Sequence, residues 1–148
     1  MNKVFYAIIS VIICSLLTIV AINMSKAEKP HPSIIEINSF DVDSMLRSHS
    51  NVVAIKGTGS MRPLIPAGKP DEIVAWAVVD NSRDFALLSA GDIVVFTHKN
   101  GGLIIHELNV LDGEGWISSG SYNKFYDSGR VTRQNLRGVV TSIYKLKQ

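Results

Sequence analysis

Ile93-Val94-Val95-Phe96-Thr97-His98 and Leu103-Ile104-Ile105-His106-Glu107-Leu108, joined by Lys99-Asn100-Gly101-Gly102, decide how this chain folds. Both runs are rich in β-branched and other apolar side chains, and the Asn-Gly pair between them supplies the positive φ of a tight turn. They predict an antiparallel hairpin. Val52 to Lys56, Glu72 to Val79, Trp116 to Ser118 and Gly138 to Tyr144 have the same character, and Gly, Asn, Asp or Pro residues separate them. The pattern predicts a mainly β fold built of antiparallel sheets. Helical signal is slight: Asp41 to His49 predicts one or two turns, with Ser39 as cap and Val42, Met45 and Leu46 on one face.

Upstream of the β pattern the chain changes class. Val4 to Ile22, nineteen residues, carries no charge. As a helix it would span about 28 Å, close to the roughly 30 Å hydrocarbon core of a bilayer. It reads as a membrane segment, either a retained anchor or a secretory signal cut after the small residues Ser25 and Ala27. Its length favours the anchor, because the apolar core of a cleaved signal runs about 7 to 15 residues. The flanking charges barely set an orientation, with Lys3 before the span and Lys26, Glu28 and Lys29 after it. The short tail and the large domain that follows predict residues 28 to 148 outside the cytoplasm, on the periplasmic or extracellular face. The division expected is a signal-anchor at 1–27, a stalk and short helix at 28–50, and a β domain at 51–148.

Composition excludes several classes. The single cysteine, Cys14, lies in the span, so the exported part holds no disulfide within one chain. The net charge of +2, with Lys and Arg scattered rather than striped, calls for no nucleic-acid partner. His98 and His106 fall on neighbouring predicted strands, but two histidines without a third ligand make no zinc site. No metal or cofactor is expected.

The chemistry converges on Gly57-Thr58-Gly59-Ser60-Met61-Arg62-Pro63, which follows the strand at Val52. A serine after two glycines and before a proline stands where little bulk blocks an approaching peptide. Read alone, the stretch is equally a turn, since Gly, Ser and Pro dominate turns for conformational reasons. A serine alcohol also needs a base and donors for an oxyanion. Among His31, His49, His98 and His106, the last stands out, because it interrupts an apolar run otherwise suited to burial. Taken alone, a strand histidine is more often structural.

Taken together and in order, these segments resemble type I signal peptidases. The resemblance rests on Gly57-Thr58-Gly59-Ser60-Met61-Arg62-Pro63, Leu88-Ser89-Ala90-Gly91-Asp92-Ile93-Val94-Val95-Phe96, Ile104-Ile105-His106-Glu107-Leu108, Ser119-Gly120-Ser121-Tyr122-Asn123 with Asp127, and Leu136-Arg137-Gly138-Val139-Val140. It covers about residues 52 to 144. It implies a signal-peptidase-like β-fold and a serine endopeptidase with Ser60 as nucleophile. His106 falls at the base position, as in the serine-histidine branch found in archaea and the endoplasmic reticulum. Asp127 is implied as the acid behind His106, and Thr58 with the Ser60 amide as the oxyanion donors. Met61, Leu64 and Ile65 are candidates for an apolar rim that receives substrate, with ordinary core as the equal alternative. The implied partner is an exported preprotein or precursor peptide.

Three departures from the family pattern stand out. Ser121 occupies the place of the first acid in its box, Glu107 replaces the basic residue that commonly follows the histidine, and the link from Lys69 to Phe85 is long. The altered box keeps two other readings open: a maturation enzyme for one precursor, and a catalytically inactive membrane-tethered β-domain that binds peptides or assembly partners.

Overall fold

The computed structural model describes residues 31–147. The expected membrane span at residues 4–22, with Cys14 and the Ser25/Ala27 pair, lies outside the described residues. Within them no helix is long and apolar enough to cross a membrane.

The fold is mainly antiparallel β. Its strands are β1 (Ser33–Ile37), β2 (Val52–Lys56), β3 (Ile73–Asp80), β4 (Ile93–Thr97), β5 (Leu103–Asp112), β6 (Gly115–Ser119), β7 (Arg130–Val131) and β8 (Leu136–Leu146), with one short helix, α1 (Val42–Ser48). They form one sheet in the order β2-β3-β8-β4-β5-β6-β7, to which β1 adds by pairing parallel with β8. The hairpin of β4 and β5 forms as its sequence predicts, with Val95 opposite Ile105 and Val94 opposite His106.

β8 organises the sheet because it is long enough to be shared. One edge pairs with β3 from Val139 to Lys145. The other pairs with β4 at Leu136 to Val139 and with β1 from Ser142 to Leu146. At the junction sits Gly138, with φ of 150°, where an added Cβ would lie 2.5 Å from the Asp80 carbonyl oxygen and 2.6 Å from Val79 Cγ1. Both ladders also shift register close to this point, at Val78/Val79 and Val95/Phe96. The sheet bends where no side chain is tolerated.

The bend leaves apolar residues on both faces of β4, which explains why Ile93-Val94-Val95-Phe96 is an unbroken apolar run. Ile93 and Val95 join a cluster with Ile55, Ala75, Ala77, Ile105, Val140 and Ile143. Val94 and Phe96 join a second with Leu88, Leu108, Trp116 and Val131. Both cores are therefore nailed to one strand.

Three expectations are corrected. Ser33–Ile37, inside the expected stalk, is a strand, because its residues find the free edge of β8. Ser39 does not cap the helix; it lies in a 3-10 turn, Ser39–Asp41, and the Asp41 carboxylate accepts the Asn38 N–H at 3.3 Å. Of the expected apolar face, Met45 is buried while Leu46 is exposed.

Candidate active site

The chain leaves β2 at Lys56 and turns back on itself, with Thr58 bridged antiparallel to Ala67. Ser60 lies in this turn, which is closed by Arg62 N–H donating to the Gly59 carbonyl at 3.4 Å and Ile65 N–H donating to that of Met61 at 2.9 Å. Met61 and Ile65, each 3% exposed, plunge into the first core, and Leu64 packs half-buried against it. Of the two readings kept for Met61, Leu64 and Ile65, substrate rim and ordinary core, the burial of Met61 and Ile65 fits core: these side chains anchor the serine turn from beneath. Burying them holds Ser60 outward.

His106 comes from β5 and is 7% exposed. Alternation along the strand sends Ile105 into the first core and Leu108 into the second, so His106 faces the second side together with Leu108. There it meets Asp127, from the irregular stretch after β6. The His106 Nδ1 to Asp127 Oδ2 distance is 2.6 Å, and Nε2 lies 3.2 Å from Ser60 Oγ. Sequence residues 60, 106 and 127 are therefore brought into one hydrogen-bonded line.

The proton positions follow from the acceptors. A carboxylate cannot donate, so Nδ1 carries the hydrogen and Nε2 presents its lone pair to the Ser60 hydroxyl. Burial pushes the Asp127 carboxyl up, but hydrogen bonds from His106 and Ser118, with the fields of His106 and His98, outweigh it and hold the carboxyl below its ordinary value. Asp127 is therefore charged at neutral pH. Thr58 Oγ1 lies 3.2 Å from Ser60 Oγ, placing a second donor beside the serine. Among the described residues the Ser60 N–H donates to nothing, whereas the Thr58 hydroxyl is engaged with Ser60 Oγ.

The segment after β6 is fastened directly to the serine turn. Tyr122 N–H donates to the Ser60 carbonyl at 2.9 Å. Gly120 lies so close that an added Cβ would overlap the Ser60 carbonyl oxygen and stand 2.8 Å from Ser60 Cβ. Arg62 stacks over the Tyr122 ring at 4.1 Å, a cation–π contact across the same seam. Two of the departures from the signal-peptidase pattern also meet here, with the Ser121 hydroxyl donating to Glu107 Oε2 at 3.3 Å.

Beside Thr58 and His106 opens a cavity of about 410 Å³, lined also by Val53, Ala54, Ile55, Lys56, Leu103, Ile104 and Ile105. Its walls are two strand edges. Among the described residues β2 pairs only with β3. β5 pairs with β4 from Leu103 onward but with β6 only from Glu107, which leaves Leu103 to His106 unpaired on one side. Among the described residues no group of three or more His, Cys, Asp or Glu side chains converges as metal ligands do.

Sequence reasoning reached Ser60, His106, Asp127 and Thr58, but it gave no role to Ser118 or Gly120 and did not reach the cavity. Ser118 carries a faint signal, a hydroxyl on an inward strand position next to Trp116. Gly120 stands in the fourth box of the resemblance, but its close approach to Ser60, like the free edges, depends on which segments meet.

The fold and the site together define a class: a mainly β domain in which a serine, a histidine and an aspartate form a hydrogen-bonded line at the end of an apolar cavity. Comparison with protein-family models and with curated proteins yields no match for the chain.

Proposed function

We propose that this protein is a membrane-anchored serine endopeptidase of the signal-peptidase type, which cleaves signal peptides or one specific exported precursor outside the cytoplasm. The observation that carries the reading is the continuous line Ser60 Oγ, His106 Nε2, His106 Nδ1, Asp127 Oδ2, with steps of 3.2 Å and 2.6 Å. Nucleophile, base and orienting acid stand within the reach that acyl transfer needs.

In the proposed reaction, Ser60 Oγ attacks the scissile carbonyl carbon while its proton passes to His106 Nε2. The carbonyl electron pair moves onto oxygen, where the Ser60 N–H and the Thr58 hydroxyl receive it. Collapse of this intermediate breaks the C–N bond, and the leaving amine takes the proton from His106. Water then repeats the sequence on the acyl ester, with His106 again accepting and returning the proton. Asp127 keeps the imidazole in its tautomer throughout.

The cavity favours an extended substrate. A peptide lying between the β2 edge and the Leu103 to His106 edge would satisfy backbone groups on both sides, with its side chains against Ala54, Ile55 and Ile104. A span at residues 4–22 would hold this groove close to membrane-inserted precursors.

Cleavage of an exported preprotein by the reconstituted full chain tests the proposal. Ser60→Ala and His106→Ala are each expected to slow cleavage by at least about a thousandfold. Undiminished cleavage by either variant sinks the mechanism. Retained biological function in Ser60→Ala would favour the binding domain instead.

A further inference from the structure

Asp127 belongs to no regular element; it lies in the irregular ten-residue stretch, 120 to 129, that joins β6 to β7 and is mostly exposed. Nothing in the local backbone fixes its carboxyl group. What holds it is Ser118, the fourth residue of β6, which is 0% exposed. The Ser118 carbonyl accepts the Asp127 N–H at 2.8 Å, and the Ser118 hydroxyl donates to Asp127 Oδ2 at 2.7 Å. The same oxygen receives His106 Nδ1–H. Ser118 itself is set by the β5–β6 ladder, opposite Leu108 on the strand that carries His106.

We propose that Ser118 is a positioning residue, which holds the Asp127 carboxylate and through it keeps the His106 imidazole in line with Ser60. The role rests on the endopeptidase reading. A buried hydroxyl could have been replaced by a methyl group in an apolar core, and here its hydrogen has one partner, the carboxylate. With two donors converging on a single oxygen, the carboxyl plane is constrained, and so is the hydrogen bond it accepts from Nδ1–H. Without the hydroxyl, Asp127 rotates on an irregular loop and the imidazole loses its fixed orientation. A misplacement of about 1 Å at a reacting group can cost on the order of 100-fold, and the effect belongs in kcat because Ser118 touches no substrate.

The test uses the full chain in detergent micelles and an internally quenched peptide with Ala-x-Ala before the scissile bond. Ser118→Ala is expected to lower kcat about 10- to 100-fold with KM nearly unchanged. Ser118→Thr and Ser118→Val separate chemistry from packing, because both add one methyl and only threonine keeps the hydroxyl. The threonine variant is expected to exceed the valine variant in kcat by about tenfold or more. Wild-type kcat in Ser118→Ala, or equal rates for Thr and Val, overturns the proposal.

A second measurement needs no turnover. The His106 Nδ1 proton is expected to give a downfield NMR resonance in the wild type and in Ser118→Thr that is lost or moved in Ser118→Val. An unchanged resonance in Ser118→Val overturns the positioning role. Failure of the wild type to cleave the peptide, with the resonance behaving as expected, would count against the endopeptidase reading and leave the positioning geometry standing.

Discussion

Glu107 and Ser121 are each unexpected beside a signal-peptidase pattern, yet they touch one another, the serine hydroxyl donating to the carboxylate at 3.3 Å. An acid at 121 would face Glu107 as a like charge, so a neutral donor at 121 fits the acid at 107. Ser121→Asp is therefore expected to destabilise by up to about 1 kcal/mol at low salt, and adding Glu107→Lys is expected to recover it. Thermal melts of the two single variants and the double variant check this, and additive effects would show that the positions are uncoupled. Asp127 makes a second residue-level prediction. Its carboxyl is held below the ordinary carboxylate value, so its ionised form stabilises the fold at and above that value, about 3.9, and the stabilisation is lost as pH falls through the lowered one. Asp127→Asn is expected to be less stable than the wild type near neutral pH, with the gap closing below about pH 4. Melting temperatures across that range decide it, and a gap that widens toward acid contradicts the assignment.

Among the elements, β8 and β4 carry the architecture, and they differ in how visible they were. The continuous apolar run of β4 announces burial on two faces, and the Asn-Gly turn announces its hairpin with β5, because both signals are local. The β2 strand, Val52–Lys56, was legible to the residue. The parallel strand Ser33–Ile37 was hidden, since its only partner lies on β8 more than a hundred residues later. β7 was hidden too, being two residues long. The same logic divides the site. Ser60, His106 and Asp127 were legible through their segments, whereas Ser118 and the unpaired edges of β2 and β5 emerge only when the sheet assembles. Met61 and Ile65 read as a substrate rim because apolar residues near a nucleophile suit either role, and core packing won. Gly138 tests the element scale. Gly138→Ala places a Cβ against Asp80 backbone at positive φ and is expected to cost at least about 2 kcal/mol. Gly113→Ala, where nothing lies within 4 Å, is expected to stay within about 0.5 kcal/mol. Chemical denaturation compares them, and equal midpoints would contradict the bend.

For the whole molecule, sheet order turns separate strands into a groove. β2 ends the sheet and β5 leaves Leu103 to His106 without a second partner, so two hydrogen-bonding edges flank the cavity that ends at His106. The proposed binding mode follows from this: an extended peptide between the edges, with its carbonyl beside Ser60. Every part of it depends on Ser60 being a nucleophile activated by His106. The most direct measurement is the reaction of the full chain with a p-nitrophenyl ester of an Ala-x-Ala peptide, followed by stopped-flow absorbance and intact mass. The account predicts a stoichiometric burst of nitrophenolate and an acyl group on Ser60, absent in Ser60→Ala and slowed at least about a thousandfold in His106→Ala. No burst and no acylated serine, or the same burst from Ser60→Ala, would contradict it.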